Sequence, residues 1–292
     1  MNNSKQRILI LGISGMLGST LFRVFSANPD FITYGSVRST SILKYFSEFT
    51  HNKIITNIDV ENSDALLRLF AQTKPDIVIN CIGIVKQLAD ADNALISIPI
   101  NSLLPHRLAH LCQINHARLI HMSTDCVFSG KHGNYLESDL PDAEDMYGRS
   151  KLMGEVDYPN AITLRTSIIG KELNGNRSLI SWFLAQEREV KGYKKAIFSG
   201  FPTVEIARII QDYVIPHHEL HGLYHLSAEP ISKYELLMSV AKVYRKSITI
   251  TPDTNYVIDR SLNSDRFRSV TGFIPKSWSE LIESMYEFEI NS

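Results

Sequence analysis

Apolar residues in this chain come as short continuous runs that alternate with stretches of helical spacing. Arg7-Ile8-Leu9-Ile10-Leu11 is the first run, rich in strand-forming residues, and it predicts a buried strand. In Ser19-Thr20-Leu21-Phe22-Arg23-Val24-Phe25 the apolar positions recur with a helical period. Residues 31–34 predict a second strand, and residues 53–56 a third that ends near Asp59. Ser63 reads as the cap of a helix whose apolar face includes Leu66, Leu67, Leu69 and Phe70. Behind Pro75, Asp76-Ile77-Val78-Ile79-Asn80-Cys81 is a continuous run, as a parallel strand buried on both faces requires. Residues 99–113 predict a helix and residues 118–123 the next strand. Such alternation predicts an α/β protein built on a doubly wound parallel sheet. Beyond about residue 170 the rhythm loosens, and Pro202, Pro216, Pro230, Pro252 and Pro275 punctuate shorter elements. A smaller lobe is expected there.

Composition narrows the class. The chain has 292 residues, 44% of them hydrophobic, enough for a large core, and a net charge of −1 that suggests neither nucleic acid nor a membrane surface as partner. Three cysteines, Cys81, Cys112 and Cys126, are odd in number and lack metal-ligand spacing, which fits a reducing compartment. Met1 to Gln6 precedes the first strand directly and leaves no room for a signal peptide, so a cytoplasmic location is expected.

Three places carry candidate chemistry. Gly12-Ile13-Ser14-Gly15-Met16-Leu17-Gly18 joins the first strand to the first helix. A glycine turn there lets the backbone approach a diphosphate, and the amides and dipole of the helix favour negative charge. Tyr147 and Lys151 stand four apart, on one face of a helix. A phenol titrates near about pH 10, and a neighbouring cation favours the phenolate. Together they make an acid–base unit for an alcohol or carbonyl oxygen. After the second strand the chain reads Tyr34-Gly35-Ser36-Val37-Arg38-Ser39, without the acid that usually pairs with the 2′-hydroxyl of NAD. Ser36, Arg38 and Ser39 suit a 2′-phosphate instead, so NADPH is the expected coenzyme, with NADH use open. The histidines from His217 to His225 span a helix end, a glycine turn and a strand, and no metal site is expected of them. Cys81 is expected to pack rather than react, and Trp182 and Phe183 to serve core packing.

These motifs resemble the extended short-chain dehydrogenase/reductase superfamily, and most closely its dTDP-4-dehydrorhamnose reductase branch of nucleotide-sugar 4-ketoreductases. The resemblance covers nearly the whole chain. It rests on Gly12, Gly15 and Gly18, on Asp59, on Ser123-Thr124-Asp125-Cys126-Val127-Phe128, and on the run from Tyr147 through Lys151 to Glu155. Leu164-Arg165-Thr166-Ser167, Phe201-Pro202-Thr203, Gly222-Leu223-Tyr224-His225 and Arg260-Ser261-Leu262-Asn263-Ser264 add to it.

The resemblance implies a Rossmann-type NAD(P)-binding domain over residues 1–170 and a substrate-binding lobe over residues 171–292, with chain crossings between them allowed. It implies a cofactor site of Gly12, Ser14, Gly15, Met16, Leu17, Gly18, Arg38, Asp59, Val60, Cys81, Ile82, Gly83, Tyr147 and Lys151. Tyr147 is then the proton donor, Lys151 binds the nicotinamide ribose and lowers the Tyr147 pKa, and Thr124 holds the substrate carbonyl oxygen. Residues alone do not choose between Ser123 and Thr124, whose side chains leave a strand on opposite faces; the family pattern selects Thr124. Thr124, Asp125, Arg165, Phe201 and Arg260 are the implied substrate contacts. The implied partner is a nucleotide-sugar, with a homodimer as the candidate assembly.

Two positions depart from the branch. Cys126 replaces its usual tyrosine, and Ile168 stands where many members carry a tryptophan associated with the sugar pocket. Those departures leave the sugar open, and the resemblance to relatives implies that a UDP-linked 2-acetamido sugar fits at least as well as dTDP-4-keto-rhamnose. Two other readings stay open. One is a 4,6-dehydratase or epimerase on the same fold, although dehydratases carry glutamate where Cys126 stands. The other is a regulatory subunit without turnover, in the manner of a subunit of eukaryotic methionine adenosyltransferase.

Overall fold

The structure, a computed structural model, describes residues 5–86 and 92–291; Met1 to Ser4, part of the segment read for a leader, lies outside them. The strands are β1 (Gln6–Leu11), β2 (Phe31–Ser36), β3 (Ile54–Ile55), β4 (Ile77–Asn80), β5 (Arg118–Thr124), β6 (Ala161–Thr166), β7 (Ile168–Ile169), β8 (Glu189–Phe198), β9 (Phe201–Pro202), β10 (Gly222–His225), β11 (Ile231–Ser232) and β12 (Thr249–Asp259). The helices are α1 (Met16–Ala27), α2 (Ser63–Thr73), α3 (Ala94–Ser97), α4 (Leu104–Ile114), α5 (Met146–Met153), α6 (Leu179–Ala185), α7 (Thr203–Ile209), α8 (Lys233–Val243), α9 (Asp265–Thr271) and α10 (Trp278–Ile290).

Seven strands form one parallel sheet in the order β10-β6-β5-β4-β1-β2-β3. From β1 the chain runs outward to β3 on one side and through β4 and β5 on the other, so β1 is the switch point. In doubly wound sheets, ligands bind beyond the carboxyl ends of strands at such a point. Ile8, Leu9, Ile10 and Leu11 of β1 are all fully buried, as a central strand covered on both faces requires. Leu9, Leu11, Val78 and Leu119 pack against Leu66, Leu69 and Phe70 of α2 and Leu104 and Leu108 of α4.

The chain divides into two compact units. The first comprises residues 1–123, 145–164 and 219–223, and the second residues 124–144, 165–218 and 224–292. The chain therefore changes unit inside β5, β6 and β10. In the second unit, β8 pairs antiparallel with β11 and parallel with β12, whose register shifts between Asp253 and Val257. Ile180 and Phe183 of α6, Leu236, Leu237 and Val240 of α8, and Ile282 and Met285 of α10 pack on this side.

Several elements differ from expectation. Asn62, not Ser63, caps α2, its side chain accepting from the Ala65 amide at 3.0 Å. Leu67 is 55% exposed, because the core-facing stripe runs through Ala65, Leu66, Leu69 and Phe70. The helix expected at residue 99 begins at Ala94, and a π-helical segment, Ile98–Leu103, joins α3 to α4. Pro252 lies inside β12, an edge strand, where the missing amide of a proline is tolerated. Phe183 is buried, whereas Trp182 is 37% exposed. Among the described residues, no helix is long and apolar enough to cross a membrane.

Candidate functional site

In the first unit the glycine turn is fixed by backbone contacts. The amides of Gly12 and Ile13 donate to the Ser36 carbonyl at the end of β2, and the Cys81 amide donates to the Leu11 carbonyl. Gly12 has φ +82°, which a side chain would strain, and a Cβ there would lie 2.8 Å from Ile82 Cγ1. On Gly18 a Cβ would come within 2.3 Å of the Gly12 carbonyl oxygen, so this glycine lets α1 pack on the turn. Gly15 is different: a Cβ would meet only the Gly12 oxygen, at an ordinary 3.5 Å. Ser14 and Gly15 form the exposed crest, and no side chain caps α1. The helix's first amides are thus left for an anion, and the turn fits a diphosphate.

Arg38 is exposed just past β2, at the position expected to meet a 2′-phosphate. The Ser36 side chain is buried, and Ser39 caps a short 3-10 turn through the Ser41 amide, which leaves Arg38 as the open donor of the three. Asp59 is exposed and accepts from the Glu61 amide at 3.0 Å. Val60 and Leu17 belong to the core, so any contact they make with a cofactor comes from the main chain. Beyond β4, Asn80 holds the Ile82 amide with Oδ1 and donates from Nδ2 to His121 Nδ1 at 3.1 Å. Burial and the Lys151 charge hold the His121 imidazole well below its ordinary range, and its Nε2 has no partner among the described residues.

Tyr147 and Lys151 lie one turn apart on α5. Asp145 caps this helix, accepting from the Gly148 amide at 2.8 Å and from Lys86 Nζ at 2.7 Å. Tyr147 is half-buried, while Lys151 is 5% exposed and donates from Nζ to the Met122 carbonyl of β5 at 2.7 Å. Burial pulls the ammonium down to about 8, against Glu155 and Cys81, which raise it. The Cys81 thiol itself is pushed up to about 12 by burial. Ser123 donates to Glu155 Oε1 at 2.6 Å, so its hydroxyl is committed to a carboxylate.

Asn101, in the π-helical segment, gives no signal in the sequence beyond being polar within an apolar helix. Its side chain accepts from the Ile84 amide at 2.8 Å and donates to the Ile84 carbonyl and to Ser150 Oγ. It ties the loop after β4 to α5. A Cβ on Gly154 would fall 1.9 Å from the Asn101 carbonyl, so only glycine permits this close approach.

The second unit holds Thr124, Asp125 and Arg260 together. The Thr124 hydroxyl donates to Asp125 Oδ1 at 3.2 Å and accepts from the Cys126 amide. Burial raises the Asp125 pKa, opposed by Arg260 and by hydrogen bonds from Cys126, Thr124 and Ser167. Arg260 donates from Nε to the Phe128 carbonyl at 2.7 Å and faces Cys126 Sγ with Nη1 at 3.7 Å. The Cys126 thiol is raised to about 12, first by burial and then by Asp125. Lys233, which no sequence motif marks, is half-buried, and burial pulls its ammonium down against Asp125 and Cys126, which raise it.

Two of the expected substrate contacts are buried among protein groups. Arg165, 2% exposed, lies over the Phe128 ring and donates to His225 Nε2 at 3.2 Å. Phe201 is fully buried against Phe273. Of the histidines between residues 217 and 225, His225 is engaged by Arg165 and by the Tyr135 carbonyl.

Comparison with known proteins gives a consistent lineage. The dTDP-4-dehydrorhamnose reductase of Aggregatibacter actinomycetemcomitans is 24% identical over 306 residues, covering 96% of this chain and 98% of that protein. Methionine adenosyltransferase 2 subunit beta of Danio rerio is 26% identical over 255 residues, covering 82% of this chain and 74% of that protein. The solved structure of dTDP-4-dehydrorhamnose reductase from Bacillus anthracis str. Ames in complex with NADP shares the fold. It matches with a TM-score of 0.77 and 22% identity, covering 97% of this chain and 99% of that one. A family model, the RmlD substrate binding domain, matches residues 6–288, and the chain belongs to that family.

Proposed function

We propose that this protein is an NADPH-dependent reductase of the 4-keto group of a 6-deoxyhexose linked to dTDP or UDP. Its role is in deoxysugar and surface-polysaccharide biosynthesis in the cytoplasm. The observation that carries this reading is Lys151, an ammonium held in a buried position by the Met122 carbonyl, one helical turn from Tyr147. A cation is costly to bury, and here it stands on the same helix face as a phenol.

When bound, the reduced nicotinamide supplies a hydride to the carbonyl carbon. Gly12, Gly15 and Gly18 shape the turn for its diphosphate, and Arg38 meets its 2′-phosphate. Tyr147 passes its phenolic proton to the carbonyl oxygen as negative charge grows there. Lys151 stabilises the phenolate left behind and binds the nicotinamide ribose hydroxyls. The Thr124 hydroxyl polarises the carbonyl; its present acceptor is a neighbouring carboxylate in the same turn, whereas Ser123 is committed to Glu155. A dehydratase needs an acid beyond Asp125, and a thiol raised to about 12 does not act as a base at neutral pH.

The similarity to methionine adenosyltransferase 2 subunit beta favours a second reading, a regulatory subunit without turnover. Intact Tyr147, Lys151 and Thr124 weigh against it. Purified protein incubated with NADPH and a dTDP- or UDP-4-keto-6-deoxyhexose separates the two. Oxidation of NADPH with formation of the 4-hydroxy sugar is expected, and no turnover with either nucleotide would reject the reductase reading.

A further inference from the structure

Lys151 is a cation taken out of water, and its surroundings are uneven. It is 5% exposed, and its ammonium donates to the Met122 carbonyl, a neutral acceptor. A buried ammonium either keeps a negative charge beside it or gives up its proton. Side chains alternate along a strand, so His121 and Ser123 leave β5 on one face, to either side of Met122. Both are buried. On one side, His121 Nδ1 accepts from Asn80, and burial keeps the ring neutral. On the other, the Ser123 hydroxyl donates to Glu155 Oε1 at 2.6 Å, which sets a carboxylate there.

Helix geometry brings Glu155 to the same place independently. Tyr147, Lys151 and Glu155 follow one another at intervals of four. Although α5 ends at Met153, the turn goes on: Gly154 keeps right-handed backbone, and the Gly154 and Glu155 amides donate to the Lys151 and Leu152 carbonyls. Residues at this spacing share a face. Lys151 and Glu155 are therefore neighbours along the turn, and they are pinned to adjacent residues of β5, where one step is about 3.3 Å.

The remaining titratable groups do not supply a charge. Cys81, after β4, has a thiol pushed up to about 12 by burial, so it is neutral. His106 of α4, whose charge reaches His121, is engaged by the Tyr158 hydroxyl and the Met153 carbonyl. Among the described residues, Glu155 is the stronger of the two groups that hold the Lys151 ammonium up against burial, Cys81 the weaker.

We propose that Glu155, anchored by the Ser123 hydroxyl, is the counter-ion that keeps Lys151 charged. It acts through Lys151, as a positioning residue. Its part in catalysis rests on the reductase reading given above, since a neutral Lys151 gives the Tyr147 phenolate no stabilisation.

Two titrations of the full chain test this, and one of them needs no turnover. The Cε resonance of Lys151 in the NMR spectrum, assigned by its loss in Lys151→Met, follows the ammonium directly. Its midpoint is expected near about pH 8 in the wild type. Glu155→Gln keeps an acceptor for Ser123 and removes the charge, so the midpoint should drop by about 1 pH unit. Glu155→Asp restores the charge and should bring it back toward the wild type. With saturating NADPH and a 4-keto nucleotide sugar, the alkaline limb of kcat/KM should move with the resonance, because the charged form is lost above the midpoint. Glu155→Gln should lie within about twofold of the wild type near about pH 6, and about 5- to 10-fold below it above about pH 8. An unmoved midpoint overturns the proposal, and so does a loss of kcat/KM that is equal at every pH, as a merely structural role would give. A midpoint that moves in protein without turnover rejects the reductase reading and leaves the counter-ion standing. Should Glu155→Gln fail to unfold cooperatively, Ser123→Ala carries the test: a smaller acidward move is expected, and none overturns the proposal.

Discussion

The glycine turn of the first unit and the Thr124–Cys126 cluster of the second reach a defined shape by opposite means. The turn is contiguous in sequence and fixed by backbone: a positive φ at Gly12, the Ser36 carbonyl of β2, and a helix that packs on Gly12 through Gly18. Its shape depends little on side-chain charge. The cluster draws on residues 124–126, 167 and 260, and it is defined by side-chain charge and burial. A backbone site recognises what all members of a coenzyme class share, and a side-chain site can change its specificity by single substitutions. Cys126 is a position of that second kind.

The largest effect expected is at Tyr147, which separates chemistry from both binding regions. Tyr147→Phe keeps the ring and removes the transferable proton, so kcat should fall by about 100- to 10 000-fold. NADPH affinity, measured by fluorescence titration, should stay near wild type. Near-normal kcat would show that another group protonates the carbonyl.

Within the turn, two alanine substitutions should part company. Gly18→Ala places a methyl 2.3 Å from the Gly12 oxygen. Backbone must move to accept it, so NADPH binding should be lost and unfolding should cost about 1–3 kcal/mol less. Gly15→Ala meets nothing closer than 3.5 Å and should leave Tm unchanged. If it still weakens NADPH binding, Gly15 serves the ligand and Gly18 serves the fold. Equal losses of Tm in the two variants would remove that distinction.

Arg38 sharpens the contrast from the other direction, as a side chain that adds specificity beside a backbone site. Arg38→Ala should weaken NADPH binding by about 10- to 100-fold and leave NADH binding within about twofold. Parallel losses for both coenzymes would show that Arg38 does not read the 2′-phosphate.

The same contrast explains what was legible in the sequence. Strand, glycine turn and helix follow one another, and Tyr147 and Lys151 sit one turn apart, so local periodicity was enough to find them. Arg260 reaches the Phe128 carbonyl and Cys126 from more than a hundred residues away, and no periodicity relates residues joined only by tertiary packing. Asn101 was hidden for the same reason, since its partners Ile84 and Ser150 lie far away in the chain. Arg165 and Phe201 were marked for substrate by family resemblance, yet the first stacks on Phe128 and the second is sealed in the core.

Arg165 leads to the smallest effect, on stability rather than activity. His225 donates from Nδ1 to the Tyr135 carbonyl at 3.0 Å and accepts at Nε2 from Arg165 Nη1 at 3.2 Å. This arrangement requires the neutral ring, because a proton on Nε2 would face a guanidinium. Burial first, and then the Arg165 charge, bring the imidazole down from 6.5 to about 4. A base whose folded pKa lies below its unfolded value binds protons better when unfolded, so acid favours unfolding. Stability is unaffected above the unfolded pKa, falls as pH drops from about 6.5 toward about 4, and loses nothing further from this group below that. Between about pH 7 and about pH 5 the loss should be about 2 kcal/mol, read as a fall in the midpoint of urea unfolding. His225→Gln keeps a polar side chain without a titrating ring, so its own stability should be lower throughout but flatter across that interval. His121 shifts in the same direction and stays in both proteins, which makes the difference between the two curves the quantity to compare. Superimposable slopes would show that His225 is not the group that titrates.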